Sequence, residues 1–380
     1  VLLIKSINNK KIIQDLFIEG TLNIRDTFVD TSSSIINSKV MKSFGKNIFS
    51  YRVDDIKNQK EVDIIVKYKS DKIIQKGNFV TNPFRDKVMS KLYKEYNYVF
   101  GFDNSFKREM LIYENISKNV SKFIPKTYNT IINEAKREYV VVMEKFKDKD
   151  FRVFNSFEDY IWEKEDIKIV LRDIARIHSE YLNNYDSIKK SAYLNIIDGD
   201  FYKDAKEYLL YTLNKTNREY PQYISQHHKL ITNFITNIEK NLKVLDTYPK
   251  TLSHNDFNPR NLNITNNNEL LLFDWELACI QSPQHDVAEF FIFLINNEFK
   301  KDEMDEFLIY YKTCLERYSN ITLDDDLFMH VFKICLLDLM INRLNLYLLS
   351  NKILRFKFIK KVYKNINKLI SIYINENDFN

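Results

Sequence analysis

The residues best suited to do chemistry lie in one short stretch, residues 254–261, and at Asp274 soon after it. The stretch reads His-x-Asp-x-x-x-x-Asn, from His254 through Asp256 to Asn261, and Asp274 follows a short apolar run. Phosphoryl-transfer enzymes use this arrangement, with an Asp that faces the acceptor hydroxyl and an Asn and an Asp that bind magnesium. The spacing therefore predicts phosphoryl transfer.

The element that must position these side chains is predicted to be a hairpin. A segment that alternates apolar and polar residues and a short apolar run are separated by asparagines 266–268. Asn tolerates the left-handed conformation that tight turns need. If the turn centres on Asn267 and Asn268, Asn261 lies opposite Asp274, with Cβ atoms about 4.5–5.5 Å apart. One magnesium cluster can then contact both; the alternative is an accidental match in an Asn-rich chain.

These segments resemble the aminoglycoside phosphotransferase and choline kinase-like family, small-molecule kinases that share the protein-kinase fold. In that family an Asp-aromatic-Glu run is followed by Pro and by a helix that opens with Asp-Leu-Ala or a close variant. Residues 274–278, 282–283 and 286–288 are similar to this second signature. The resemblance implies that the catalytic base is Asp256, that the magnesium ligands are Asn261 and Asp274, and that structural support of the catalytic loop comes from His254 and Asp286.

The fold implied by the resemblance is α+β. It is the bilobal protein-kinase-like fold, with a small N-lobe that contains an antiparallel sheet and a larger, mostly helical C-lobe. The length of 380 residues agrees with two lobes, because it exceeds that of a typical single core. We expect an N-terminal extension at residues 1–36, a nucleotide-binding N-lobe at 37–146, and a helical C-lobe with the catalytic loop and the substrate cleft at 147–380.

A lysine of the N-lobe is expected to contact the nucleotide. Lys67 ends a strand that alternates as Val62, Ile64 and Val66. In kinases a strand lysine contacts the nucleotide phosphates and pairs with a helix glutamate. Lys69 faces the same side of the strand and competes for this role. An exposed strand-end lysine without a role is the alternative in a lysine-rich chain.

The partner of this lysine is expected on the helix predicted at residues 106–116. Glu109 and Glu114 are the candidates, and Glu109 fits the family pattern better. Gly45 lies in the turn 43–47, which covers the nucleotide phosphates in the family, where backbone amides and close approach matter. An ordinary hairpin turn is the alternative for Gly45. The cofactors implied are ATP or GTP and Mg²⁺.

Composition and charge argue against a nucleic-acid partner and against a membrane span. The net charge of +5 is small for this length, and acidic and basic residues are interspersed, so no nucleic-acid partner is expected. The most apolar long stretch, residues 331–349, contains Lys333, Asp338 and Arg343. We therefore predict a core helix there and no membrane span.

Four residues with reactive side chains are expected to be structural. Cys279, Cys314 and Cys335 form neither a Cys-x-x-Cys pair nor a Cys/His metal spacing. They favour buried free thiols in a reducing cytoplasm, the location we predict. His178 matches a helix histidine that is common in the family, but a satisfied core histidine is the expected role on an apolar helix face.

The acceptor is expected to be a small molecule with a hydroxyl group. Only residues 275–285 separate Asp274 from Asp286, and no Ala-Pro-Glu motif follows, whereas protein kinases have a long activation segment there. We predict Mg-dependent transfer of the nucleotide γ-phosphate to an aminoglycoside-like antibiotic, an amino alcohol or another metabolite. The alternatives are a protein-modifying kinase of the same fold and an inactive nucleotide-binding pseudokinase. Candidate contacts for a cationic acceptor are Asp198, Asp200, Glu276 and Glu289.

Overall fold

The computed structural model of the chain describes residues 22–28, 48–55, 60–82, 84–153, 160–294, 297–375 and 378–379. The chain divides into two compact units. The smaller unit comprises Val1–Ser70 and Pro125–Asp150, and the larger comprises Asp71–Ile124 and Phe151–Asn380. The smaller contains an antiparallel sheet and the larger is mostly helical. The predicted α+β class is therefore confirmed.

The smaller unit is built on a five-stranded antiparallel sheet with the strand order β1-β2-β3-β5-β4. Its strands are β1 (Leu22–Phe28), β2 (Ile48–Asp55), β3 (Lys60–Tyr68), β4 (Thr127–Asn133) and β5 (Glu138–Glu144). Ile64 and Val66 of β3 are buried on one face, in a core shared with β2 and β5. Because side chains alternate along a strand, Lys67 lies on the opposite face.

The sheet includes a segment that was predicted to be an N-terminal extension. Strand β1 pairs with β2 from Leu22 opposite Asp55 to Phe28 opposite Ser50. Residues 22–28 therefore form an edge strand of the sheet. The compact units also differ from the predicted lobes at residues 71–124. These residues lie within the predicted N-lobe, 37–146, but group with the larger unit.

The larger unit is built from helices, with short strands around residues 250–281. The helices before these strands are α1 (Ile73–Thr81), α2 (Lys87–Tyr96), α3 (Ser105–Asn115), α4 (Lys164–Tyr181), α5 (Asp186–Ala192), α6 (Lys206–Glu219), α7 (Pro221–Ile224), α8 (His228–Thr236) and α9 (Ile238–Leu242). Those after them are α10 (Gln284–Phe293), α11 (Lys301–Ser319), α12 (Asp325–Leu339), α13 (Asn345–Leu354) and α14 (Ile359–Tyr373). Helix α4 buries an apolar stripe that includes Ile167, Val170 and Ile174, at helical spacing.

Short strands in the larger unit carry the candidate site. They are β6 (Phe151–Val153), β7 (Thr251–Ser253), β8 (Leu262–Thr265), β9 (Leu270–Leu272) and β10 (Cys279–Gln281). Strands β6, β8 and β9 form one antiparallel sheet, and β7 pairs with β10. All residues of β7 and the first three of β8 are buried, so the segments that flank residues 254–261 are fixed in the core.

The apolar stretch predicted as a core helix is a continuous helical run with one wide turn. Helix α12 continues into a π-helical turn, Met340–Leu344, and then into α13. Most of its residues are buried. Among the residues that the structure describes, no helix is both long enough and apolar enough to cross a bilayer. The three cysteines are buried and free, as predicted.

Candidate active site

The predicted catalytic loop, residues 254–261, connects β7 to β8 and is closed by its own backbone. Asn258 N donates to Asp256 O at 3.0 Å, and Asn261 N donates to Asn258 O at 2.9 Å. The loop therefore turns back on itself between two buried strands. This turn places Asp256 and Asn261 side by side although they are five residues apart.

Asp286 on α10 holds the start of the loop. Its Oδ1 accepts hydrogen bonds from Ser253 Oγ at 2.8 Å and from Asn255 N at 2.9 Å. Its Oδ2 accepts one from His254 N at 2.7 Å and lies 3.1 Å from His178 Nε2. Burial opposes ionisation, but the contact with His178 and the nearby imidazoles outweigh it and lower the pKa of Asp286 to about 2. Asp286 is therefore a fully buried carboxylate with a partner for each oxygen, which suits the bracing role expected of it.

His254 packs inside the loop and contacts the far end of the hairpin. Its side chain is fully buried, and its Nε2 lies 3.0 Å from Phe273 O. Its ring lies 4.7 Å from the ring of Trp275 and 6.2 Å from that of Phe257, between centroids. These contacts join the loop to the segment after β9, which agrees with a structural role for His254.

Asp256 is held by two asparagine side chains of its own loop. Asn258 Nδ2 donates to Asp256 Oδ1 at 3.0 Å, and Asn261 Nδ2 donates to Asp256 Oδ2 at 2.7 Å. Both asparagines are buried, whereas Asp256 is partly exposed. Each carboxylate oxygen therefore accepts one bond within the loop and keeps lone-pair capacity for a ligand. Because the amide nitrogen of Asn261 donates to Asp256, its Oδ1 is the atom that the predicted metal would contact.

The hairpin after the loop has a register that differs by one residue from the predicted one. Leu262 of β8 pairs with Leu272 of β9. One step nearer the loop, Phe273 N donates to Asn261 O at 3.1 Å. Asn261 therefore lies opposite Phe273, and the prediction that it lies opposite Asp274 is wrong.

The length of the turn explains the shift. Thr265 N donates to Glu269 O at 2.9 Å, and Asn268 N donates to Thr265 O at 3.0 Å. Asn268 has φ of 58°. The loop thus has three residues, 266–268, and ends in a left-handed residue, which is a common form of three-residue hairpin loop. The two-residue turn centred on Asn267 and Asn268 does not form.

Asp274 follows the hairpin in a left-handed conformation. It lies between β9 and the short 3₁₀ turn Trp275–Leu277, and it has φ of 67° and ψ of 54°. A non-glycine residue with positive φ is uncommon, and such conformations cluster at functional sites. Because this conformation departs from the strand alternation, the register of the hairpin does not by itself set the direction of the Asp274 side chain. The joint binding of a metal by Asn261 and Asp274 stays a prediction.

Arg260 is a residue of the loop that the sequence analysis did not identify. Its Nε donates to Asn258 Oδ1 at 2.8 Å, and its Nη2 donates to the Tyr347 hydroxyl at 3.1 Å. The guanidinium also lies over the rings of Phe293, Tyr347 and Phe358, at 5.4, 6.0 and 5.2 Å from their centroids. Arg260 thereby fixes the orientation of the Asn258 amide, whose oxygen faces Arg260 and whose nitrogen faces the Asp256 carboxylate.

Two more residues that the site assignments missed contact the loop on either side of Asp256. Phe257 N donates to Glu289 Oε2 at 2.8 Å, and Arg343 Nη2 donates to Asn255 O at 2.5 Å. Arg343 Nε lies 3.9 Å from Glu289 Oε1, and both side chains are buried. Glu289 is fully buried and contacts the loop, which corrects the prediction that it contacts a cationic acceptor.

Glu289 gives the protein a testable pH dependence. Burial and the charge of Asp256 raise the pKa of Glu289 from 4.5 to about 7, while Arg343 and His285 oppose the shift and Asp286 adds to it. Because the folded-state pKa is raised, Glu289 contributes stability below pH 4.5 that is lost as pH rises through 7. We expect the difference in Tm, Glu289→Gln minus wild type, to increase between pH 4.5 and 7 in thermal unfolding. A constant difference over this range would show that Glu289 does not titrate there.

A cluster of possible metal ligands lies next to the loop, but several of its ligand atoms already take part in hydrogen bonds. Ligand atoms of His285, Asp286 and Glu289 lie within 4.8 Å of one another, and all three residues are buried. Both oxygens of Asp286 and one of Glu289 already accept hydrogen bonds from the loop region. His285 Nε2 lies 3.1 Å from Asp338 Oδ2. The cluster therefore supports the loop.

Lys67, the predicted nucleotide-binding lysine, lies within the sheet of the smaller unit. It pairs with Ile48 of β2 on one side and with Val141 of β5 on the other. Lys69 lies beyond the end of β3, where its backbone N donates to Tyr139 O at 2.9 Å. The strand extends past Lys67, so this lysine has a more fixed position than the strand-end residue that the sequence suggested.

Glu109, the predicted partner of the lysine, lies on α3 in the larger unit. It is fully buried and accepts a hydrogen bond from the Tyr113 hydroxyl at 3.1 Å, whereas Glu114 is exposed. Burial of an ionisable group requires specific partners, so Glu109 has the more defined environment. Its pairing with Lys67 stays a prediction. Gly45 lies outside the described residues.

Comparison with known sequences identifies the family of the chain. A sequence model of the ecdysteroid kinase-like family matches residues 62–322, more than half of the chain. The chain therefore belongs to the ecdysteroid kinase-like family. The predicted kinship with small-molecule kinases is confirmed, and membership of the family indicates small-molecule phosphotransferase activity.

Several solved structures are similar to the chain at low identity. A choline kinase from Streptococcus pneumoniae has 14% identity, with 96% of this chain and 99% of that chain covered and a TM-score of 0.49. AMP-bound spectinomycin phosphotransferase has 12% identity, 97% and 96% coverage and a TM-score of 0.49. A Plasmodium vivax ethanolamine kinase has 14% identity, 85% and 79% coverage and a TM-score of 0.41. No curated protein sequence matches the chain.

Proposed function

We propose that the chain transfers the γ-phosphoryl group of ATP or GTP to a hydroxyl group of a small molecule in a Mg²⁺-dependent reaction. The observation that carries this proposal is the hydrogen-bonded pair of Asp256 and Asn261. It combines a partly exposed carboxylate with an amide oxygen that faces away from it, in a loop that Asp286 anchors to the core. Membership of the ecdysteroid kinase-like family supports a small molecule as the acceptor.

Asp256 would act on the acceptor. An ionised carboxylate only accepts hydrogen bonds, so the acceptor hydroxyl donates to Asp256. During transfer a bond forms between the hydroxyl oxygen and the γ-phosphorus, and the bond from this phosphorus to the β–γ bridging oxygen breaks. The hydroxyl proton passes to Asp256, and the nucleoside diphosphate leaves. The bonds from Asn258 and Asn261 hold the carboxylate in place for this step.

Asn261 and Asp274 would hold the magnesium. Mg²⁺ prefers hard oxygen ligands and is usually bound by one or two carboxylates together with substrate phosphates. The amide orientation of Asn261 fits, because its nitrogen donates to Asp256 and its oxygen remains available. When bound, the ion neutralises charge on the β- and γ-phosphates.

We expect Lys67→Ala to weaken productive nucleotide binding more than Lys69→Ala does. Lys67 is held between two strands, whereas Lys69 lies beyond the end of β3. Loss of a charge-assisted contact costs about 1.5–3 kcal/mol, so KM for the nucleotide should rise roughly tenfold or more in the first variant. Steady-state kinetics at saturating acceptor measure this. Equal, mild effects would show that neither lysine is the phosphate ligand.

A phosphate-transfer screen tests the proposed function. The purified protein is incubated with γ-labelled ATP or GTP, with Mg²⁺ or with EDTA, and with a panel of antibiotics, amino alcohols, sugars, nucleosides and an ecdysteroid. Label should appear on a small molecule only with Mg²⁺, and Asp256→Asn is the inactive control. Transfer to an added peptide, and to no small molecule, would instead identify a protein-modifying kinase. Mg-dependent nucleotide binding without any transfer would indicate a pseudokinase.

A further inference from the structure

The two peptide groups that flank Asp256 contact one buried ion pair. Arg343 Nη2 donates to the carbonyl oxygen of Asn255, the residue before Asp256, at 2.5 Å. Phe257, the residue after it, donates its N–H to Glu289 Oε2 at 2.8 Å. Arg343 Nε and Glu289 Oε1 lie 3.9 Å apart. The ion pair thus contacts the backbone on both sides of the carboxylate.

Stability alone does not explain why a charged pair occupies this position. Glu289 is fully buried and Arg343 nearly so. Desolvation of two charges often outweighs their mutual attraction, and apolar residues of similar volume are frequently at least as stable. Burial raises the pKa of Glu289 and opposes the raised pKa of Arg343, and the negative charge of Asp256 raises the pKa of both. The pair therefore has an electrostatic connection to Asp256 as well as a geometric one.

The π-helical turn Met340–Leu344 brings Arg343 to the loop. The side chains of successive residues in a regular α-helix point about 100° apart, so two adjacent side chains usually lie on different faces of the helix. In this wide turn Asn342 Nδ2 donates to Val99 O at 2.7 Å while the next residue, Arg343, reaches Asn255. Both residues therefore make inward contacts. Wide turns of this kind occur frequently at functional sites.

Asn255 is the residue through which the pair acts. It has φ of 55°, a left-handed conformation. Its N–H donates to Asp286 at 2.9 Å, and its Nδ2 donates to Leu277 O at 2.9 Å. Because Arg343 donates to its carbonyl oxygen, the N–H, the carbonyl and the side chain of Asn255 all have hydrogen-bond partners. Release of the carbonyl frees the peptide between Asn255 and Asp256 to rotate, and this rotation changes the direction of the Asp256 side chain.

We propose that Arg343 and Glu289 form a backbone clamp that orients Asp256, and that both are positioning residues for the transfer step. This inference rests on the proposed function. The clamp acts on the rate of transfer rather than on nucleotide binding, because it contacts the backbone around Asp256. A small displacement of a catalytic group costs rate steeply, on the order of 10²-fold for about 1 Å.

The test compares four variants of the full chain. Arg343→Met removes one charge and the donor to Asn255, and Arg343→Lys keeps the charge but lacks the forked guanidinium. The double variant Arg343→Met with Glu289→Gln removes both charges while it keeps an acceptor for Phe257 N. The matched control is Lys333→Met. Lys333 lies on the same helical run as Arg343, and the substitution breaks its ion pair with Asp378 (2.8 Å). The measurements are kcat, nucleotide KM, Tm, and deuterium exchange in residues 250–262.

At a pH above 7, where Glu289 is ionised in the wild type, we expect Arg343→Met to lower both Tm and kcat, with kcat reduced roughly 10–100-fold and nucleotide KM little changed. The double variant should recover Tm, because no unpaired charge remains buried, but should not recover kcat. Arg343→Lys should retain more Tm than kcat, and exchange in residues 250–262 should accelerate in all three variants but not in the control. Recovery of kcat together with Tm in the double variant would overturn the proposal, as would normal turnover in Arg343→Lys. Exchange does not depend on turnover, so a wild type without transfer activity would contradict the proposed function and still leave the clamp testable.

Discussion

Asp256→Asn is expected to abolish most phosphoryl transfer while nucleotide binding survives. A positioned general base contributes on the order of 10²–10⁴ in rate, and an amide cannot take up the hydroxyl proton. In addition, the amide NH₂ of the variant would face a donor, since Asn258 and Asn261 each direct an N–H toward one of the present oxygens. The measurements are steady-state turnover and nucleotide titration with and without Mg²⁺.

A matched control separates this effect from a general loss of charge. Asp325, at the start of α12, has a side chain that is 89% exposed, and Asp325→Asn should leave turnover unchanged. If Asp256→Asn instead retained near-normal turnover, Asp256 would not be the base. Positioning of the acceptor by the metal cluster would then be the better mechanism.

Asp274→Asn is expected to remove both transfer and the magnesium dependence of nucleotide binding. A bound metal ion stabilises transition-state charge by several kcal/mol, and about 1.4 kcal/mol corresponds to a tenfold change in rate. Loss of its carboxylate ligand should therefore reduce kcat on the order of 10²-fold or more. Nucleotide titrations over a range of Mg²⁺ concentrations should show a flattened response, in contrast to Asp256→Asn. An unchanged magnesium response in the Asp274 variant would mean that another residue holds the ion.

The local parts of the site were predictable from sequence. Asp256 and Asn261 lie within one short loop, so their residue types and spacing already assigned them to one site, whereas the contact of Asn258 with Asp256 was not predicted. Strand β3 followed from the alternation of Val62, Ile64 and Val66. The contact of Asp286 with the loop was expected only through the resemblance to a kinase family, because the two segments are distant in sequence.

The errors have identifiable physical causes. The hairpin register depended on whether the turn had two or three residues, and Asn266, Asn267 and Asn268 are identical in type, so the sequence did not distinguish the two. Arg343 lies in a strongly apolar stretch, where a charge was interpreted only as evidence against a membrane span. Its partner Glu289 lies 54 positions away, and no local pattern links them. The wide turn that brings Arg343 to the loop also has no recognisable sequence signal.

The π-helical turn has a consequence for the lengths that this protein tolerates. Deletion of one residue from Met340–Leu344 would favour a regular α-helix and rotate everything after it by about 100°. Tyr347 would then leave Arg260, which it contacts at 3.1 Å, and Asn345 would leave Thr216, which it contacts at 2.7 Å. Substitutions in α13 can be accommodated one by one, whereas a single-codon deletion upstream would misalign the whole helix. Relatives that keep these contacts should therefore keep the residue count from Met340 to Tyr347 and vary in length only in their loops.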